Sequence, residues 1–207
     1  MAKDKPIIVS SYGPLDEAVE AFNRGEVVAF PTETFYGLAV DPSNEEALEG
    51  LFSIKERDKK NPISLIVHDR SKVFDFADDV PELARKLMDA FWPGPLTIVF
   101  NAKPSVSHLL TSGTGSIAIR VSSNPVATEF CRETGSAITA TSANPSGKEP
   151  TAKAEEVVKY FGSKLGAVID GGEVSGGKGS TIVDVRGKVV KVLRVGAIDT
   201  DRILNIY

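Results

Sequence analysis

The 207-residue chain is 42% hydrophobic and 25% charged, ordinary globular proportions that exclude a disordered or fibrous protein and fit one domain with one substantial core. Its formal charge of −4 supplies no global basic field to draw in nucleic acid, so any such contact would rest on a local patch. No apolar run approaches the roughly 20 residues that span a bilayer and the N-terminus shows no apolar signal region, so a soluble, cytoplasmic protein without a membrane partner is expected.

Cys131 stands alone and cannot close an internal disulfide, and Ala127 and Phe130 nearby mark it as a small core residue. With only His68 and His108 and no Cys or His cluster, a structural zinc site has no support.

Helix signals alternate with short apolar strands, which predicts an α/β domain: a mixed, twisted sheet with flanking helices. Leu15, Ala18, Val19 and Phe22 share one helical face, and Gly25 sits where a helix commonly ends. A strand over 27–31 is continuously apolar, as if covered on both faces, and Pro31, lacking an N–H, is expected to end its ladder. Thr32, Thr34, Tyr36 and flexible Gly37 follow. Hydroxyls gathered beyond a strand end suit a ligand crevice, although this segment alone is read equally well as a polar turn. Ser43 and Glu46 have capping-box spacing for a helix that buries Leu48, Leu51 and Phe52 and runs toward Lys55.

Lys55, Arg57, Lys59 and Lys60 crowd the end of that helix, where cations complement the dipole and are usually solvated. Asn61-Pro62 then leads into a strand near 63–67, with His68 at its end. A helix is expected over about 81–91, another from Pro125 with Asn124 as its N-cap, and a third from Thr151 to Gly162. Further strands are expected near 96–100, 116–121, 137–141, 167–170, 181–185 and 189–194. The connections from 100 to 116 and from 185 to 189 lack a helix, so these pairs are expected antiparallel. Alternation in 116–121 puts Ser116, Ala118 and Arg120 on one strand face, and an arginine there needs an anion, either a carboxylate of the chain itself or a ligand. Thr141 to Asn144 reads as an N-cap or Asx turn. The glycines from Gly171 to Gly179 lack P-loop spacing and are expected to form a mobile rim.

In chain order stand PTETFYGL, KER followed by NP, WPGPLT, IAIR, TSANPSG, GST and LRVG. Each is weak alone. Their joint order, over about residues 10–196, resembles the YrdC-like family of threonylcarbamoyl-AMP synthases. The resemblance implies a single catalytic domain over 1–207 that joins L-threonine, bicarbonate and ATP, with Mg²⁺ accompanying ATP, into threonylcarbamoyl-adenylate and pyrophosphate. A separate transferase complex would then place the threonylcarbamoyl group on an adenosine beside the anticodon of certain tRNAs, and direct tRNA contact is left open.

The same resemblance implies residue roles. Lys55 and Arg57 would be catalytic and touch the ATP phosphates. Thr32, Asn61, Ser116, Ser142, Asn144 and Arg194 would hold the nucleotide. Thr34, His68, Arg120, Ala140 and Ser180 would hold threonine, with Arg120 on its carboxylate. No side-chain metal ligand is implied. Two places depart from the family pattern: Phe35 stands where a smaller aliphatic residue is common, and residues 148–151 cannot be matched to the family's loop. The rival readings are an RNA-binding module and a carbamoyl-adenylate-forming domain on the same fold, such as that of hydrogenase-maturation carbamoyltransferases.

Overall fold

Ten strands pair into one mixed sheet in the computed structural model, which describes residues 5–206; residues 1–4 and 207, the ends of the expected domain, lie outside the described residues. The strands are β1 (Ile7–Ser10), β2 (Val28–Pro31), β3 (Tyr36–Ala39), β4 (Ser64–Ile66), β5 (Leu96–Asn101), β6 (Ser116–Arg120), β7 (Ile138–Ser142), β8 (Ala167–Asp170), β9 (Thr181–Asp184) and β10 (Lys191–Arg194). Their spatial order is β1-β8-β2-β3-β7-β4-β6-β5-β9-β10. The flanking helices are α1 (Asp16–Asn23), α2 (Glu45–Lys55), α3 (Glu82–Phe91), α4 (His108–Thr111), α5 (Pro125–Glu133), α6 (Ala154–Phe161) and α7 (Thr200–Leu204).

All the expected strands form, and β5 with β6 and β9 with β10 pair antiparallel as expected, although the connection from β5 to β6 carries the one-turn helix α4 where a plain loop was expected. The hydroxyl-rich segment behaves differently from expectation. Pro31 does not end the ladder but pairs with Tyr36, and Tyr36 to Ala39 is the second strand of a hairpin, so only Thr32–Phe35 is turn. Pro31 is tolerated at the last strand position, where no donor is demanded of it. Gly37 hid this strand in the sequence. A Cβ there would lie 3.0 Å from the Phe30 ring, so the position is glycine for packing rather than for flexibility.

Two helix starts also shift. Asn44, not Ser43, caps α2 by accepting from the Ala47 N–H, while Ser43 turns its hydroxyl to Asp41. Thr151 lies ahead of α6, with its hydroxyl accepting from the Lys153 N–H at 3.1 Å. The Asn124 cap of α5 is as expected, its Oδ1 accepting from Val126 and Ala127.

Each sheet face carries its own core. On one face Leu48 and Leu51 of α2, Leu87 of α3 and Val157 and Phe161 of α6 pack on inward residues from both halves of the sheet. On the other, α1 and α5 pack on Val9, Val28, Phe30 and Ile169, and Phe22, Phe30 and Phe130 meet with ring centroids 5.8 and 6.0 Å apart. Burial of each such ring contributes about 2–3 kcal/mol. These two helices cover only the half of their face nearest β1, β8 and β2 and reach as far as Ile66 and Ile138. Beyond them the same face of β6, β5 and β9 carries Ser116, Ala118, Arg120, Thr97, Val99 and Ile182 without a helix above it.

Candidate active site

That uncovered half-face is the floor of a cavity of about 590 Å³, within the size range of small-molecule sites. Strand register sets its two ends. Ile98 pairs with Ile119 and Val99 with Ala118, while Thr97 pairs with Ile182 and Val99 with Asp184. Arg120 therefore shares one end with Thr97 and Ser180, whose hydroxyls are 2.8 Å apart. Ser116, four residues back on β6, marks the other end about 13 Å away at roughly 3.3 Å per residue. Because β4 runs parallel to β6 and antiparallel to β7, Pro62 and Ser142 fall at the Ser116 end.

At the first end Arg120 donates from Nη1 to Glu33 Oε1 at 2.6 Å, and Ser122 Oγ donates to Glu33 Oε2. The turn between β2 and β3 thus lies over the cavity face, fixed by Thr32, whose hydroxyl donates to the Phe35 carbonyl at 2.6 Å and accepts from the Thr34 and Phe35 N–H groups. The anion that Arg120 requires is supplied by the chain's own Glu33, while Nε and Nη2 carry no partner among the described residues. Arg194 stands beside it, with Nε and Nη2 on the Ser180 carbonyl at 3.1 and 2.8 Å and Nη2 on Ser180 Oγ at 3.1 Å. Gly196 permits this approach, since a Cβ would fall 2.2 Å from the Gly179 carbonyl oxygen.

At the second end Arg57 donates from Nε to the Asn61 carbonyl at 3.2 Å and from Nη2 to the Pro62 carbonyl at 2.9 Å. Glu56, left-handed at φ 52°, turns the chain where α2 ends. Lys55 and Arg57 consequently part ways: Arg57 lines the cavity, whereas Lys55 is buried and its Nζ donates to the Ser142 carbonyl and, at 2.6 Å, to the Asn144 carbonyl. Burial, followed by the charge of Arg57, brings the Lys55 ammonium down to about 7.

Of the residues expected at the site, the structure gathers Thr32, Thr34, Arg57, Ser116, Arg120, Ala140, Ser142, Ser180 and Arg194 around this cavity. Lys55 is a correction: it ties the Ser142–Asn144 loop from behind and does not reach the cavity, two of its three donors being spent on backbone. Asn61 is exposed and contributes its carbonyl to Arg57. Asn144 is buried outside the cavity and closes its own loop by donating to the Pro145 and Lys148 carbonyls, with Oδ1 unpartnered. His68 lines a separate pocket of about 120 Å³ with Lys72, Asp75 and Ser136. It lies four residues along from Ser64, and α5 with the turn into β7 covers that end; Cys131 of α5 donates from Sγ to the Ile66 carbonyl at 3.4 Å.

The segment Trp92 to Pro95 is also scaffold, because Trp92 Nε1 donates to the Leu96 carbonyl at 2.6 Å and Gly94 N–H to the Val121 carbonyl at 2.9 Å. Sequence reasoning assigned no role to Ser64, Thr97, Lys178 or Arg186, all of which line the cavity. Thr97 was legible in principle, as a hydroxyl inside an otherwise apolar strand; the others needed the register. The glycine segment forms a rim, where Tyr36 Oη accepts from Gly171 N–H at 3.1 Å and donates to the Gly172 carbonyl at 2.8 Å. Burial pushes the Tyr36 hydroxyl up to about 12. Tyr36→Phe is expected to cost about 1–2 kcal/mol and to speed amide exchange around Gly171–Gly176; chemical denaturation and hydrogen exchange measure the two effects.

The cations of the lining are Arg57, Arg120, Lys178, Arg186 and Arg194, and no carboxylate lines the cavity among the described residues. Desolvation lowers Arg57, Arg120 and Arg194 below the usual arginine value, and Arg120 lowers Arg194 further. Such a surface is relieved by anions. A resident metal does not fit this donor set, since Mg²⁺ in proteins takes carboxylates as well as substrate phosphates; any Mg²⁺ here would be carried on phosphate oxygens as part of the substrate.

Fold and cavity together define an α/β protein whose cavity is lined by arginines at both ends of its floor. The chain matches the protein-family model Sua5_yciO_yrdC, described as telomere recombination, over residues 20–196, and it belongs to the Sua5/YciO/YrdC family. It is 37% identical over 188 residues to the threonylcarbamoyl-AMP synthase of Bacillus subtilis, covering 90% of this chain and 54% of that one. It is 39% identical over 147 residues to the threonylcarbamoyl-AMP synthase of Serratia proteamaculans, covering 70% and 78%. The crystal structure of P. abyssi Sua5 complexed with L-threonine superposes with a TM-score of 0.90 at 32% identity, covering 97% of this chain and 60% of that one. The chain thus spans about half the length of the B. subtilis relative. Among the described residues, no helix is long and apolar enough to cross a membrane.

Proposed function

We propose that this chain is an L-threonylcarbamoyladenylate synthase, a nucleotidyltransferase that forms threonylcarbamoyl-AMP and pyrophosphate from L-threonine, bicarbonate and MgATP, supplying a transferase that modifies tRNA. The observation that carries the reading is the pair of anion stations, Arg120 and Arg57, facing one carboxylate-free cavity from opposite ends of its floor. Three anionic reactants repel one another in water. A cavity that holds them in register provides proximity and charge neutralisation together.

Arg120 takes the threonine carboxylate through the donors that Glu33 leaves free, with Thr34, Ala140 and Ser180 around it. Threonine's amine and bicarbonate condense to a carbamate with loss of water. A carbamate oxygen then attacks the α-phosphorus, a new P–O bond forms, and the bond to the bridging oxygen breaks to release pyrophosphate. No side-chain nucleophile is needed. Arg194, beside Ser180, lies where the carbamate and α-phosphate would meet, and Arg57, Ser116, Thr32 and Ser142 hold the rest of the nucleotide. Lys55 acts as a positioning residue through the Ser142–Asn144 loop.

The purified chain should form pyrophosphate and a threonylcarbamoyl-adenylate, detected by mass spectrometry, from ATP, Mg²⁺ and bicarbonate only when L-threonine is present. ATP consumption driven by carbamoyl phosphate would favour the carbamoyl-adenylate reading instead. Salt-sensitive retention of RNA without turnover would favour a binding module.

A further inference from the structure

Arg186 lines the cavity, yet the reaction as derived gives it no task. It follows β9 by two residues. The last residue of β9, Asp184, is level with Val99 and, through Val99, with Ala118, so Arg186 lies at the Ser116 end, away from Arg120. Asp184 grips it closely. Oδ1 accepts from the Arg186 backbone N–H and from Nε, each at 3.0 Å, and Oδ2 accepts from Nη2 at 2.7 Å.

One edge of the guanidinium fork is therefore occupied, and Nη1 is left without a partner among the described residues. Arg57 reaches the same end and is held in the same manner, with Nε and Nη2 on the Asn61 and Pro62 carbonyls and Nη1 likewise left over. Two guanidinium groups, each pinned along one edge, present oriented donors with little further loss of side-chain freedom. Two cations at one end of the cavity suit a multiply charged phosphate better than a single carboxylate.

We propose that Arg186, together with Arg57, binds the β- and γ-phosphates of the nucleotide and holds pyrophosphate as the leaving group. This rests on the synthase reading above. Attack on the α-phosphorus comes from the threonine side, so an in-line displacement sends the leaving oxygen away from Arg120 and toward the Ser116 end. The electron pair of the broken P–O bond goes to that bridging oxygen, and the charge that collects on pyrophosphate falls between the two arginines.

Pyrophosphate itself is the probe. Calorimetric titration of the whole chain with pyrophosphate, without ATP or threonine, should show saturable binding that Arg186→Ala weakens about tenfold or more. Arg186→Lys, which keeps the charge and loses the fork, should restore only part of it. In turnover, Arg186→Ala should raise the KM for ATP and the inhibition constant of pyrophosphate together while leaving the KM for threonine unchanged, a pattern that general loosening of the fold would not give. Equal pyrophosphate affinity in the wild type and both variants overturns the proposal, as does a wild-type chain that binds no pyrophosphate. Pyrophosphate binding that depends on Arg186, in a chain that never releases pyrophosphate with threonine, would sink the synthase reading and the leaving-group role with it, but would leave a phosphate site.

Discussion

Alanine at Arg120 is expected to lower stability by about 3 kcal/mol, because it leaves the largely covered Glu33 carboxylate, 13% exposed, facing only Ser122. At roughly 2–4 °C per kcal/mol for a chain of this size, the melting temperature should fall by about 10 °C. Part of that loss should return in the double variant Arg120→Ala/Glu33→Gln, where no charge is left unpaired, and a thermodynamic cycle over the pair reads the coupling directly. In turnover, Arg120→Ala should raise the threonine concentration needed for half-maximal rate about a hundredfold, as expected for loss of charge-assisted bonds to a carboxylate, while the ATP requirement moves far less. Equal losses for both substrates would count against Arg120 as the threonine anchor. The ordering matters because Glu33, inside the hydroxyl-rich motif, is committed to Arg120 and Ser122 and is not available as a general base.

The second large effect concerns Lys55. Methionine at this position keeps much of the buried volume but withdraws the donors of the Ser142 and Asn144 carbonyls, at about 1–3 kcal/mol for each orphaned group, offset in part because an ammonium no longer has to be buried. Turnover should fall about tenfold, the equivalent of 1.4 kcal/mol, because Ser142 would no longer be held at the cavity wall. The pH dependence identifies the cause. Lys55 titrates at about 7 in the folded chain against an ordinary 10.5, so between these values the unfolded chain holds a proton that the folded one does not. Its contribution to stability is therefore complete above pH 10.5, declines as the pH is lowered, and is lost on passing below about 7. Denaturation of the wild type across this window should show stability rising with pH, and the stability of the wild type relative to Lys55→Met should rise with it; a difference independent of pH would mean that Lys55 is not desolvated as the structure has it.

Much of the candidate site was legible because its signals are local. Apolar runs broken by hydroxyl-rich segments marked the strand ends, and the alternation Ser116, Ala118, Arg120 required no partner strand to place those side chains on one face. The resemblance put both cations of the KER segment on the ATP phosphates, but i and i+2 at a helix end diverge once Glu56 turns left-handed, and nothing in the letters says which of two cations goes inward. His68 was expected near threonine from the family resemblance alone, whereas four residues beyond Ser64 carry it past Ile66 to ground covered by α5 and the turn into β7.

What the sequence determined by itself, then, is whatever depends on near neighbours: the α/β class, the strands with strong apolar runs, the antiparallel pairs joined by short connections, the Asn124 cap and the residue types an anion site would need. The tertiary structure decided the rest. Gly37 and Gly196 are glycine because of the Phe30 ring and the Gly179 carbonyl, contacts made across strands. Glu33 is the partner of Arg120, 87 positions away, and Arg186 and Arg57 line the same end of the cavity only because the β5–β9, β5–β6 and β4–β6 registers bring Arg186, Ser116 and Pro62 level. Long-range pairing is set by register and by which half of a sheet face is covered, and both are properties of the assembled sheet that no local pattern encodes.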